Sequence, residues 1–374
     1  MEPDQILEKC YQEASTRPNQ PLIVDSTALR LIEQVCRSSV GAPVRALLAC
    51  LLAKVHRPEL DIRKPYTEIG TEDSYSGRTY DERYISSFIQ RHKLPCNSTT
   101  AFLTPAFRTN NQPLEANVQL HGKPREPYDA FINLLQLVQN GSLNAQELLT
   151  EIIRQLLLLK NERQQQISLL IQRINTQRSE LTAESIIQIV SRHLQSRRSS
   201  RLPVLLVAAA YDVAQDYLRK RPKPLQPHTA ADVQAGTLGD LEIEFSTHQQ
   251  LAVVYEMKTR RITLNDLDRA TQKVAESSNR IDQYVFITTA PVDTSVHERA
   301  AQLSKQFGIE LMILDCIQFL KHFIHLFYEL RMAFLDRYEQ LLLQEPESAV
   351  SHELKRKFLK LRTAAQHSSE IRND

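Results

Sequence analysis

The spacing of apolar residues changes most sharply near residue 201, and no single layer of structure accommodates both halves. Before that point apolar side chains recur every three or four residues, the period of one helix face. Asp25-Ser26-Thr27 caps such a stretch over 28–37, and Pro43 opens another over 44–55. Residues 61–127 bring in tyrosines, prolines and turn residues. They predict short helices joined by ordered loops, the clearest helix lying over 80–92. Helical spacing returns over 128–139, 145–161 and 182–196. Beyond Pro203, helical stretches alternate with short β-rich runs. The reading is a helix over 204–218, a loop at 219–224, and strands over 241–245 and 251–257. A helix over 264–278, a strand over 284–289, a helix over 296–307 and a strand over 310–314 follow. Helices over 317–343 and 353–365 close the chain.

The order α-β-β-α-β-α-β predicts a hairpin of two antiparallel strands continued by parallel strands reached through helices. The expected fold class is therefore mixed α/β (α+β): a helical N-terminal region and a mixed central sheet flanked by helices. A length of 374 residues suits two domains. The basic, serine-rich joint Ser196-Arg197-Arg198-Ser199-Ser200-Arg201 puts the boundary between a mainly helical region, 1–200, and a sheet-containing core, 201–374.

Composition narrows the function classes. With 46 Lys+Arg against 44 Asp+Glu the formal net charge is +2, so the chain is no bulk polycation, although a local basic patch remains open. No apolar run approaches the ~18 residues of a membrane span. The first residues carry no secretory pattern, and the five cysteines are odd in number and scattered. The expectation is a protein of a reducing cytoplasm without a membrane partner. Eight glycines form no phosphate-cradling loop. His322 and His325 have helical spacing for a metal but read better as part of a packed helix.

The hairpin carries the chemistry. In Gly239-Asp240-Leu241-Glu242-Ile243-Glu244-Phe245 the apolar and acidic residues alternate, and the partner strand ends in Tyr255-Glu256-Met257-Lys258. If the hairpin is symmetric about His248, Phe245 pairs with Leu251 and Asp240 stands opposite Glu256. Directly opposed residues have Cβ atoms about 4.5–5.5 Å apart, so the carboxylates would repel unless a cation lay between them. Mg2+ is commonly held by one or two carboxylates plus waters and phosphate oxygens. Lys258, two residues beyond Glu256, shares its face and is suited to orient a water or neutralise a phosphate. The competing reading is the charged end of an edge hairpin. Against it, 251–255 is continuously apolar, as a buried strand requires.

Asp240, Glu256 and Lys258 in this strand–turn–strand setting resemble the PD-(D/E)xK nuclease superfamily, with Gly239 in place of the usual proline. More specifically, the chain resembles type II restriction endonucleases of the SacI family. The similarity is carried by 61–113, with Ser76-Gly77-Arg78-Thr79-Tyr80 inside it, by 202–218, and by Gly239-Asp240 and Val254-Tyr255-Glu256. It spans roughly 61–327 with few strong anchors between. The resemblance implies a restriction-endonuclease-like core and Mg2+-dependent, site-specific cleavage of double-stranded DNA to 5′-phosphate and 3′-hydroxyl ends. It implies a homodimer matched to a palindromic site and a cognate DNA methyltransferase as a functional partner, in a prokaryotic cytoplasm. Asp240, Glu256 and the Met257 carbonyl would hold the metal, and Lys258 would assist the attacking water.

Other residues are weighed beside that site. Arg192, Arg197, Arg198, Arg201, the basic run 219–223, Arg260 and Arg261 suggest a DNA-facing side. Arg78, Arg108, Asn110 and Asn111 have side chains that read guanine or adenine, although turn chemistry uses several of the same residue types. His228 and Asp232 precede the hairpin and are candidates for the scissile phosphate or a second metal, against a plain polar loop. Asp212 and Glu242 are possible further ligands. The apolar faces over 128–139 and 145–159 suit a core or a dimer interface. Two alternatives stay open: a structure-specific or non-specific nuclease of repair or phage defence, and a non-catalytic DNA-binding protein.

Overall fold

The computed structural model describes residues 1–374 except 98, 109, 117, 177–178, 227–236, 248–249, 278–280 and 374, and gives backbone alone for 368–373. The chain divides into two units, Met1–Gln165 and Gln166–Asp374. The division falls inside a helix, some way before the basic joint at 196–201. The reason is packing. The helix just before that joint buries Ile186, Ile189, Val190 and Leu194 in the core of the second unit, so it belongs with the sheet and not with the N-terminal helices.

The first unit contains α1 (Pro3–Thr16), α2 (Ser26–Cys36), α3 (Ala42–His56), α4 (Gly77–Tyr80), α5 (Ser86–His92), α6 (Glu126–Gln139) and the start of α7 (Ala145–Thr176). A π-helical turn, Asp81–Ile85, joins α4 to α5. Asp25 caps α2 by accepting from the Ala28 N–H, as its sequence signature predicts. Every residue of α3 from Ala42 to Ala53 is buried, Arg45 included. That guanidinium is neutralised by Asp81 at 2.6 Å, and Asp81 is also held by the Ala101 N–H at 2.6 Å. The apolar faces of α6 and early α7 (Tyr128, Phe131, Leu135, Leu148, Ile152, Leu156) are spent in this core. Leu157, Leu158 and Leu159 stay half-buried.

The second unit continues with α8 (Ala183–Leu194), α9 (Leu202–Leu218), β1 (Lys220–Pro222), β2 (Leu241–Phe245), β3 (Leu251–Lys258) and α10 (Leu264–Glu276). Then come β4 (Gln283–Thr288), α11 (Thr294–Phe307), β5 (Glu310–Asp315), α12 (Cys316–Leu326), α13 (Arg331–Gln344) and α14 (His352–Asn373). Among the described residues five strands form one sheet in the order β1-β2-β3-β4-β5. The first two pairings are antiparallel, the last two parallel. This is the mixed α/β arrangement that the order of elements demands. Side chains alternate across the sheet. Ile243, Val253, Tyr255 and Ile287 pack with α9, α12 and α13. Val254, Tyr284 and Phe286 pack with Leu267 and Ala270 of α10 and Ala300 of α11.

Several elements differ from the sequence reading: the helix read over 145–161 runs to Thr176, the one read over 353–365 spans His352–Asn373, and a π-helical turn interrupts the one read over 80–92. The stretch 219–224 is not all loop: Lys220–Pro222 is an edge strand beside β2. Two basic residues and a proline carry no strand periodicity, and proline is tolerated at such an edge. The expected helix over 317–343 is two helices, interrupted by the turn Tyr328–Leu330. No helix among the described residues is long and apolar enough to cross a membrane.

Candidate active site

The alternation of β2 places Glu242 and Glu244 on the α10 side of the sheet, and both are buried there. Buried carboxylates need partners. Edge strand β1 and the residue after it supply them: Arg221 contacts Glu244 at 2.8 Å, and Lys223 contacts Glu242 at 2.9 Å. Glu242 also accepts from the Leu238 N–H at 2.8 Å. Glu242 is therefore a structural ion-pair partner and not a further metal ligand. The same contacts use two of the cations expected to face DNA.

The register decides whether the acids meet. Leu241 pairs with Tyr255, Glu242 with Val254 and Ile243 with Val253. One further step sets Asp240 opposite Glu256, as the symmetric hairpin predicts. Near the turn the symmetry fails, because Glu244 pairs with Leu251 across a bulge after Ile243. The bulge absorbs one residue of β3 and leaves the site end of the hairpin in register.

Asp240, exposed just before β2, is fastened to the opposite strand: its Oδ2 accepts from the Met257 N–H at 2.7 Å. Gly239 makes this approach possible. A Cβ there would stand 2.5 Å from the Tyr255 carbonyl oxygen and 2.7 Å from Val254 Cγ1. Proline carries the same Cβ, so it would not fit this backbone without a shift.

Glu256 is mostly buried, with 13% of its side chain exposed. Lys258 Nζ donates to its Oε1 at 2.6 Å. On the other oxygen, Oε2, the Tyr284 hydroxyl lies at 3.1 Å and Lys273 Nζ at 3.6 Å. The same hydroxyl is 3.1 Å from the Leu238 carbonyl and, with one proton, donates to one acceptor at a time. Tyr284 thus ties β4 to both Glu256 and the segment leading into Asp240. Sequence reasoning missed Tyr284 and Lys273. Each lies far along the chain, and only the parallel pairing of β3 with β4 and the seating of α10 bring them in.

The donor set fits a hard divalent cation: two carboxylates from opposed strands, one exposed and one anchored by cations, beside the Met257 carbonyl. Among the described residues no group of three or more His, Cys, Asp and Glu is arranged to hold a metal. Mg2+ does not require one, since waters and phosphate oxygens complete its shell.

The remaining candidates fall elsewhere. Arg260 forks onto Asp266, with Nη2 to Oδ1 at 2.6 Å and Nη1 to Oδ2 at 2.7 Å. Asp266 also closes the capping box of α10 with Thr263, and the Arg260 guanidinium holds its carboxyl well below the usual range. Arg260 thus clamps the start of α10, with over half of its side chain still exposed. Arg261 makes a solvent-exposed pair with Asp293 at 3.1 Å. Arg201 is buried against Glu345 at 2.8 Å, whereas Arg192, Arg197 and Arg198 are exposed. Asp212 pairs with Arg337 at 2.7 Å. His322 and His325 are exposed on α12, not packed.

Arg78, Arg108, Asn110 and Asn111 belong to the first unit. Arg78 pairs with Glu82 at 2.8 Å, and the Asn110 amide donates to the Ala106 carbonyl at 2.9 Å, which is turn chemistry. Arg108 and Asn111 are exposed. His228 and Asp232 lie outside the described residues. No family model matches the chain, and no curated protein matches it.

Proposed function

We propose that this protein is a Mg2+-dependent endonuclease that hydrolyses double-stranded DNA in the manner of a type II restriction enzyme. One observation supports the reading: the β2–β3 ladder ends at Leu241 with Tyr255, so Asp240 and Glu256 are the next residues on facing strands, and Lys258 donates to the Glu256 carboxylate at 2.6 Å. Opposed acids with a lysine beside them have no use in a plain hairpin and a direct one in phosphodiester hydrolysis.

Asp240, Glu256 and the Met257 carbonyl are the groups that would hold the cation. When bound, it supplies Lewis acidity at a phosphoryl oxygen and lowers the pKa of a coordinated water. The chain's own residues do the rest. Met257 N–H and Tyr284 keep the two carboxylates in place. Lys258, tethered through Glu256, orients the attacking water and offsets charge on the phosphate. The water gives up a proton to solvent as its oxygen bonds to phosphorus, the bond from phosphorus to the 3′ oxygen breaks, and that oxygen takes up a proton from solvent. The products are a 5′-phosphate and a 3′-hydroxyl.

A palindromic target, a homodimer with one site per strand, and a companion methyltransferase complete the proposal. The cytoplasm of a prokaryote is the corresponding location. The test is digestion of unmethylated phage DNA by the purified protein, in Mg2+ and in EDTA, with Asp240→Ala as control. Discrete bands in Mg2+ alone, lost in the variant, are expected. A smear would assign a non-specific or structure-guided nuclease. Intact DNA from two unrelated genomes, with folded protein, would sink the nuclease reading.

A further inference from the structure

Glu256 meets more positive charge than one strand supplies. Lys258 takes Oε1 at hydrogen-bond distance, and Lys273 stands 3.6 Å from Oε2, near enough for charge attraction but beyond a hydrogen bond. Lys273 comes from α10, three residues after Ala270 and six after Leu267, both buried against the sheet. Its stem therefore runs along that apolar face while its ammonium reaches the carboxylate. With Asp240, the four groups sum to zero charge: two lysines against two acids. A divalent cation brings this to +2, which a phosphodiester and a hydroxide return to zero. Without Lys273 the same assembly ends at −1.

We infer that Lys273 is a positioning residue of this site: it holds Glu256 while no cation is bound and gives way when one arrives. The inference rests on the nuclease reading above. Lys258 keeps its oxygen throughout. Lys273, the looser partner, is the one displaced by the cation and left facing the phosphate side. Because ammonium and cation compete for one carboxylate, Lys273 weakens cation binding to the free protein while favouring turnover. An ion pair that merely seats α10 would do neither.

The experiment is calorimetric titration of Mn2+ into the full chain without DNA, comparing the parent with Lys273→Met, Lys273→Arg and Asp240→Ala. Thermal melts check that each variant is folded, and Lys273→Gln replaces Lys273→Met if the latter is not. The parent should show a Mn2+ site that Asp240→Ala lacks. Lys273→Met should bind Mn2+ about tenfold more tightly, the order expected for removing one charge several ångströms from a cation at a partly buried site. Lys273→Arg should resemble the parent. In cleavage assays Lys273→Met should then need less cation yet turn over more slowly. Unchanged or weaker Mn2+ binding in Lys273→Met, with Asp240→Ala still abolishing the site, would overturn the role of Lys273 and leave the nuclease reading standing. A parent chain with no Mn2+ site removed by Asp240→Ala would overturn both.

Discussion

The Asp240 carboxylate accepts from the Met257 N–H at 2.7 Å, so the acid before β2 is bound to the strand that carries its opposite, Glu256. This contact separates charge from structure at one residue. In Asp240→Asn the amide oxygen still accepts from Met257, whereas the negative charge is lost. Because Asp240 is exposed, thermal stability should change little, by under about 1 kcal/mol, as for most surface substitutions. DNA cleavage should fall by at least about a hundredfold, the cost typical of losing one preorganised electrostatic contact. Melting curves and single-turnover cleavage on the same preparation check both halves. Full activity would remove Asp240 from the site.

Gly239→Ala tests the close approach that positions Asp240. The new Cβ would meet the Tyr255 carbonyl oxygen at 2.5 Å, and backbone is not easily displaced. The expected loss is about 1–3 kcal/mol, as for overpacking elsewhere, read as a lower urea midpoint. Cleavage should fall with it, since any relief moves Asp240 away from β3. A variant as stable and active as the parent would show that this segment shifts freely.

The hairpin was legible in the sequence because β2 alternates strictly and β3 is apolar up to Tyr255. Together they select the pairing of Leu241 with Tyr255 even though the assumed partner of Phe245 is wrong. The bulge after Ile243 left no trace in the residue pattern. The surroundings of the site were less legible, because they depend on pairings far apart in the chain. Tyr284 reaches Glu256 through the parallel β3–β4 ladder, and Lys273 through the seating of α10. Arg260 misleads for the opposite reason. A basic residue after β3 looks like a phosphate contact until Asp266, six residues on, closes on it. Glu242 and Glu244 likewise look like a solvent face until β1, too short and polar to be read as a strand, is seen to cover them.

His193 links stability to pH without touching the site. Its ring is fully buried, with Nε2 donating to the Leu354 carbonyl and Nδ1 accepting from the Tyr338 hydroxyl, each at 3.1 Å. Burial holds it neutral and pushes its pKa down to about 4. Above the ordinary value of about 6.5 both folded and unfolded chains carry a neutral ring, and pH has no effect through this residue. Below it the unfolded chain takes up a proton that the folded chain refuses until about pH 4. Stability should therefore decline across that window by roughly 3 kcal/mol. His193→Gln keeps a side-chain N–H donor without the titration. Its urea stability, though lower at neutral pH, should show a flatter decline between pH 6.5 and 4. The same slope in both proteins would assign the decline to other groups.

Arg260 and Arg261 are neighbours with opposite expected behaviour. Arg260 forks onto Asp266, whose carboxylate also closes the start of α10, so Arg260→Ala leaves a mostly buried acid short of its main partner. The variant should lose about 1 kcal/mol, the scale of a helix cap, with part of the ion pair already screened by solvent. Its DNA affinity should hardly change. The Asp266 carboxyl, freed from the guanidinium, should titrate higher, so the acid limb of its stability curve should move to higher pH. Arg261 holds only the exposed Asp293 and stands just past the strand that carries Glu256 and Lys258. Arg261→Ala should leave stability unchanged. If Arg261 contacts a phosphate, the variant should weaken DNA binding alike for all sequences and reduce the salt slope by about one counterion. Fluorescence anisotropy across a salt series distinguishes the two residues. A salt slope altered by Arg260→Ala and untouched by Arg261→Ala would reverse their assignment.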